Sequence, residues 1–169
     1  MRRSALILAL SGVVLAALMM PTAARAQASI TATATVASAL TLTAGNDLDF
    51  QLVIPGFTKT VAVTDGTAGT FSITGGAGAE VNFSFSTLDN PLTDGGGNNL
   101  PITYTGVHNT VNNAGAGATA FTPSAGATTN LSGLGELYIF LGGTVDATLS
   151  PPNGTYTGTV TLTAAYTGN

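Results

Sequence analysis

Gly154-Thr155-Tyr156-Thr157-Gly158-Thr159-Val160-Thr161-Leu162-Thr163-Ala164-Ala165-Tyr166 alternates threonine with an apolar or aromatic residue almost without a break. Successive side chains of a strand point to opposite faces. The spacing therefore predicts a strand over 156–167 with Tyr156, Val160, Leu162, Ala164 and Tyr166 on one face and the threonines on the other. One face suits a core and the other suits water. Near the start, Ile30-Thr31-Ala32-Thr33-Ala34-Thr35-Val36 repeats the pattern with smaller side chains. Two half-buried strands are thus expected at the ends of the exported chain, which suits a subunit whose ends take part in assembly.

Working inward, short apolar alternations recur between clusters of Gly, Asn, Asp and Pro, the signature of an all-β sandwich or barrel. Strands are expected at 29–43 (in one or two segments), 47–53, 58–64, 69–74, 80–87, 100–106, 135–141 and 144–149, in addition to 156–167. No segment after residue 26 reads as a helix. The expected core comprises Phe50, Val61, Val63, Phe71, Ile73, Val81, Phe83, Phe85, Ile102, Tyr104, Leu137, Ile139, Leu141, Val160 and Leu162. Turns are marked by Ile54-Pro55-Gly56, Thr64-Asp65-Gly66, Gly75-Gly76-Ala77-Gly78, Asp94-Gly95-Gly96-Gly97 and Pro151-Pro152-Asn153-Gly154. In each, Gly permits a positive φ or Pro presets a negative one. From Asn109 to Leu134 the alternation dissolves, and a long surface connection with a short strand near 120–122 is expected.

Residues 1–26 read as a secretory signal peptide: a basic start at Arg2-Arg3, an apolar run from Ala5 to Met20, and a small-residue cleavage motif at Ala24-Arg25-Ala26. Residues 27–169 then form a single β-sandwich domain, exported to the periplasm, cell surface or extracellular space, with no membrane span after cleavage. Three of the four basic residues lie in the signal, so the exported chain keeps only Lys59 against eight acids. That balance excludes nucleic acid as a partner, because phosphate neutralisation needs clustered Lys and Arg. Charged residues make up 7% of the chain, far below the usual share of about 25%. No cysteine is present, so disulfide staples and thiol chemistry are both excluded.

Candidate chemical motifs reduce to ordinary surface features. The loop from Asp89 to Asn99 gathers oxygens that calcium would accept, with Asp89 and Asp94 as the only candidate ligands. Its spacing is not that of an EF-hand, turn chemistry accounts for every residue in it, and the expectation is no metal. His108 is the only histidine; without a second His or any Cys it offers no zinc site, and an inert surface position is expected. No Gly-x-Ser-x-Gly elbow, phosphate loop or selectable carboxylate pair is present, so neither an enzyme nor a cofactor is expected.

The alternating N-terminal segment, Leu40-Thr41-Leu42, Leu48-Asp49-Phe50, Phe71-Ser72-Ile73-Thr74-Gly75, Val81-Asn82-Phe83-Ser84, Gly142-Gly143-Thr144-Val145 and the closing strand together resemble a family of small exported bacterial β-sandwich proteins of unknown function. That family is similar to spore coat protein U and to chaperone-usher pilus subunits. Gly154 and Tyr166 match the spacing of glycine and near-terminal tyrosine in such subunits. The resemblance implies an immunoglobulin-like antiparallel β-sandwich left incomplete by one strand. Its groove would be filled by a periplasmic chaperone, then by the N-terminal extension of another copy or a related subunit. Ile30, Ala32, Ala34 and Val36 would be the donor positions, and Tyr156, Val160, Leu162, Ala164 and Tyr166 the acceptor edge. The function so implied is that of a structural or assembly subunit, fimbrial-like or coat-like. The alternative is a monomeric, self-complemented module whose loops bind carbohydrate or protein.

Overall fold

The structure, a computed structural model, describes residues 26–34, 36 and 38–168. The chain divides into two units, the second beginning at Val36. Residues 26–34 hold no helix or strand and are exposed. The signal peptide expected over 1–26 lies outside the described residues except for Ala26.

The second unit contains β1 (Thr41–Ala44), β2 (Thr58–Val61), β3 (Gly69–Thr74), β4 (Glu80–Leu88), β5 (Leu92–Thr93), β6 (Asn99–Leu100), β7 (Ile102–Asn109), β8 (Thr119–Phe121), β9 (Ala127–Asn130), β10 (Glu136–Asp146) and β11 (Val160–Tyr166). One sheet runs β1-β3-β10-β7-β8, with β2 beside β10 beyond the end of β3; a second runs β11-β4-β9; β5 and β6 form a two-stranded third. All pairings are antiparallel. The fold is thus all-β, as expected, but among the described residues it has three sheets rather than the two of a clean immunoglobulin-like sandwich. The extra sheet arises because 89–99, expected as a loop, folds back as the β5-β6 hairpin around Asp94.

The central strand is β10, whose Leu137, Ile139, Leu141 and Val145 are buried along one face. The glycine pair within it was expected to separate two strands, yet the strand runs through. A Cβ at Gly142 would stand 2.5 Å from the Val61 carbonyl oxygen, and one at Gly143 would stand 2.7 Å from that of Thr103. Glycine is therefore what lets β2 and β7 approach this part of β10, and its backbone continues the ladder. The 47–53 segment, by contrast, is not a strand. Asp49 accepts a hydrogen bond from the Gln51 amide at 2.7 Å and Gln51 has φ 56°, so a local side-chain turn overrides the apolar alternation.

The two larger sheets share a core of Ile73, Val81, Phe83, Leu131, Leu137, Ile139 and Leu162. A second core cluster at the other end holds Phe50, Val61, Ala68, Leu100, Ile102, Val145 and Ala147. Most of the expected core is buried; Val63, Phe71, Phe85, Tyr104 and Val160 are only partly so. Within the expected long connection the structure adds β9, which pairs with β4. This strand carries Thr and Asn where an apolar alternation would have marked it.

Candidate functional site

The site is assembled from two sheet edges. In β1, Leu42 stands opposite Ile73 and Ala44 opposite Phe71, and directly opposed residues of a pair point to the same face. Leu42 and Ala44 therefore face inward with Ile73, yet Leu42 is 37% exposed. In β11, Leu162, Ala164 and Tyr166 stand opposite Phe85, Phe83 and Val81, which places them on the inner face of the other sheet. A bulge at Ser86 of β4 shifts the register between Thr161 and Leu162. Alternation along β11 keeps Val160 on that same face, and the bulge brings Leu88 round to stand opposite it. Among the described residues β1 pairs only with β3 and β11 only with β4, so each of the two strands presents one edge unpaired by any described strand.

Beyond the ends of these two strands, touching Ala44 of β1 and Val160 of β11 and bordering the second core cluster, opens a cavity of about 910 Å³. Leu48, Phe50, Phe71, Ile102, Val145 and Val160 supply much of its apolar lining, and Pro151 to Gly158 form one wall. We call this end the open pole. Tyr156 lines the cavity ahead of β11 rather than within it. Its hydroxyl donates to the Pro152 carbonyl at 2.9 Å, and the next residue, Thr157, pairs with Thr93 of β5 rather than with β4. Tyr104 reaches in from β7 and donates to the Asp89 carbonyl at 2.6 Å. Burial, with a smaller contribution from the Asp89 charge, pushes its phenol up to about 12. That tyrosine therefore remains a neutral donor.

The opposite end is shut. The Tyr166 hydroxyl accepts a hydrogen bond from the Gly76 amide at 2.6 Å and donates one to the Ser38 carbonyl at 2.7 Å. A Cβ at Gly75 would collide with that hydroxyl, so the turn between β3 and β4 needs glycine for the phenol to fit. The sequence marks Tyr166 as an apolar acceptor residue; its latch on Ser38 is not legible there, because a hydroxyl's partners depend on packing across the whole chain. We call this end the closed pole.

Of the sequence-derived sites, Tyr156, Val160, Leu162, Ala164 and Tyr166 are brought to one side of the molecule, the last four on β11. Ile30 is 97% and Val36 93% exposed, and Ala32 and Ala34 are exposed as well. Asp94 is consumed by its own hairpin. It accepts from the Asn98 side chain at 2.6 Å and from the Gly96 and Asn98 amides, and these bonds hold its carboxyl below the usual range. Asp89 accepts from the Thr159 amide at 2.7 Å. Both acids serve turn structure, and among the described residues no three His, Cys, Asp or Glu side chains gather as a metal-binding group.

His108 departs from expectation. It stands opposite Ile139 and therefore faces the inter-sheet space, with its ring 5.6 Å from Phe83 and 6.1 Å from Phe121. Partial burial among aromatic rings depresses its basicity. No described helix is long and apolar enough to cross a membrane.

No protein-family model matches the chain, and comparison with curated proteins finds no match.

Proposed function

We propose that this protein is an exported structural or assembly subunit, pilus-like or coat-like, built on an incomplete immunoglobulin-like plan and joined to further copies by β-strand donation. The observation that supports the reading is a cavity of mixed polar and apolar lining at the ends of β1 and β11, two strands that each leave one edge unpaired among the described residues. An unpaired edge exposes a row of backbone donors and acceptors, and an apolar trough beside it offers pockets for alternate side chains. Together these are what β-augmentation requires. The donor is the segment carrying Ile30, Ala32, Ala34 and Val36. It is apolar at alternate positions, uncharged and exposed, the state expected of a donor that has yet to meet its acceptor. Other copies of the chain or related subunits are the partners, with a periplasmic chaperone shielding the groove until they meet.

The test is the mass of the secreted protein by sedimentation, alongside an Ile30→Asp/Val36→Asp variant. The native chain is expected to give high-mass species. The variant is expected to give folded monomer, since the cavity lining holds Asp47 and Asp49 and no Lys or Arg, and an added carboxylate finds no counter-charge there. A native chain that stays monomeric up to high concentration, or a variant that polymerises unchanged, would sink the reading.

A further inference from the structure

Asn153-Gly154 is the chain's only Asn-Gly pair, and it stands between the end of β10 at Asp146 and the start of β11 at Val160. Both residues are exposed, and both belong to the wall of the cavity at the open pole. The pairing matters because an asparagine side chain is open to attack by the backbone nitrogen of the residue that follows it. Glycine has no Cβ to screen that nitrogen, and its backbone freedom lets the nitrogen swing toward the carboxamide. Local order opposes the reaction, as two other asparagines show. Asn82 lies within β4, and its carboxamide donates to the Thr128 hydroxyl at 2.9 Å. Asn130 lies in β9; its carboxamide donates to the Gly78 carbonyl at 2.9 Å, and the Leu131 amide that follows is committed to the Ala79 carbonyl at 2.9 Å. Asn153 has no strand around it and faces solvent.

We propose that Asn153 is a site of spontaneous covalent modification by Gly154, and that its conversion limits the time for which the cavity accepts a strand. The Gly154 amide nitrogen bonds to the Asn153 side-chain carbonyl carbon and gives up its proton. The bond from that carbon to the side-chain nitrogen breaks, ammonia leaves, and a cyclic imide closes. Water then opens the imide at either carbonyl. The products are an aspartate, or an isoaspartate in which the main chain runs through the former side chain and is longer by a methylene.

Either product changes the cavity wall. A Cβ at Gly154 would stand 3.7 Å from the Asp94 Cβ and 4.0 Å from an Asp94 carboxylate oxygen, so a carboxylate created at the adjoining residue arrives near one already held ionised by its own hairpin. The lining contains Asp47 and Asp49 and no Lys or Arg, so nothing there offsets the added charge. The isoaspartate also lengthens a short stretch with fixed ends. Tyr156 closes that stretch by donating to the Pro152 carbonyl at 2.9 Å, and the backbones of Thr93 and Thr157 exchange hydrogen bonds of 2.9 and 2.8 Å just beyond it. Extra chain between such anchors must bulge, and the mouth of the cavity changes shape as the molecule ages. This consequence for strand acceptance rests on the strand-donation reading, whereas the chemistry at Asn153 is independent of what fills the cavity.

The experiment incubates the full exported chain at mildly alkaline pH, where the attacking nitrogen loses its proton more readily. Mass spectrometry and an isoaspartate-specific methyl-transfer assay follow Asn153 and, as an internal control, Asn113, which is also exposed but precedes alanine. Asn153 is expected to convert several-fold faster than Asn113, and Gly154→Ala is expected to remove that advantage. The alanine variant should fold, because its Cβ meets nothing closer than 3.7 Å. Conversion at Asn153 no faster than at Asn113, or unslowed by Gly154→Ala, would overturn the modification site. Fresh and aged protein are then titrated with a labelled peptide of residues 27–36. Aged native protein is expected to bind it several-fold more weakly than fresh protein, and aged Asn153→Gln protein is expected to bind it as fresh protein does. Equal affinity of fresh and aged native protein, with conversion at Asn153 verified by mass, would overturn the time limit and leave strand donation standing. Fresh protein that ignores the peptide would overturn strand donation and the time limit together, while the mass readout still decides the modification.

Discussion

Two ring systems illustrate how little a residue's identity says before its neighbours are known. His108, alone of its kind and next to an asparagine at a strand end, has the look of surface chemistry. The register of β7 instead turns it toward Phe83 and Phe121. A charged imidazolium there loses hydration, so the folded state holds the proton less tightly than the unfolded chain does. The unfolded state then binds more protons in acid, and by linkage stability falls as pH drops. The contribution is fully present above about 6.5, the ordinary histidine value, and is lost progressively as pH falls through the depressed folded value. Denaturation midpoints of the native chain should therefore decline from neutral pH toward pH 5 more steeply than those of His108→Gln. Parallel profiles would remove His108 from the account. Tyr166 makes the complementary point, since its ring was legible as an apolar position and its hydroxyl latch on Gly76 and Ser38 was not.

At the scale of elements, β10 governs the architecture because it is the strand that β2, β3 and β7 all pair with. Its Gly142-Gly143 pair reads locally as punctuation, since glycine is unfavourable in a strand interior. In the fold it is the place where flanking backbones come too close for a Cβ. Replacing Gly143 by Val should cost about 1–3 kcal/mol through forced backbone shifts, measured by denaturant titration. Gly66→Ala, where an added Cβ meets nothing within 4 Å, should remain near neutral. Equal midpoints for the two variants would contradict this reading of β10. The same contrast between local and tertiary preference explains 47–53 and β9. An Asp49 side-chain turn breaks an apolar alternation that should have paired, and a Thr/Asn stretch without that alternation is recruited as a strand because β4 has a free edge beside it.

For the molecule as a whole, the two core clusters divide the labour. The one at the closed pole is sealed by Tyr166, while the one at the open pole borders the 910 Å³ cavity. A strand that fills the cavity binds the folded state only. Adding the 27–36 peptide to dilute monomer should therefore raise its unfolding free energy, by about 2.7 kcal/mol when the free peptide stands at a hundredfold its Kd. An unshifted denaturation midpoint at saturating peptide would argue against the cavity as a strand acceptor. The all-β class, most strand positions, much of the core and the shared inward face of Val160, Leu162, Ala164 and Tyr166 follow from the residues alone, because period-two alternation is a local property of a pleated backbone. It took the folded chain to show that β1 and β11 lie at sheet edges, that Ala44 and Val160 at their ends meet the cavity, and that Leu52, Ile54, Phe57 and Leu149 stay exposed. Each of these depends on which distant strands pair and in what register, and alternation is the same whether a strand lies at an edge or in the middle of a sheet.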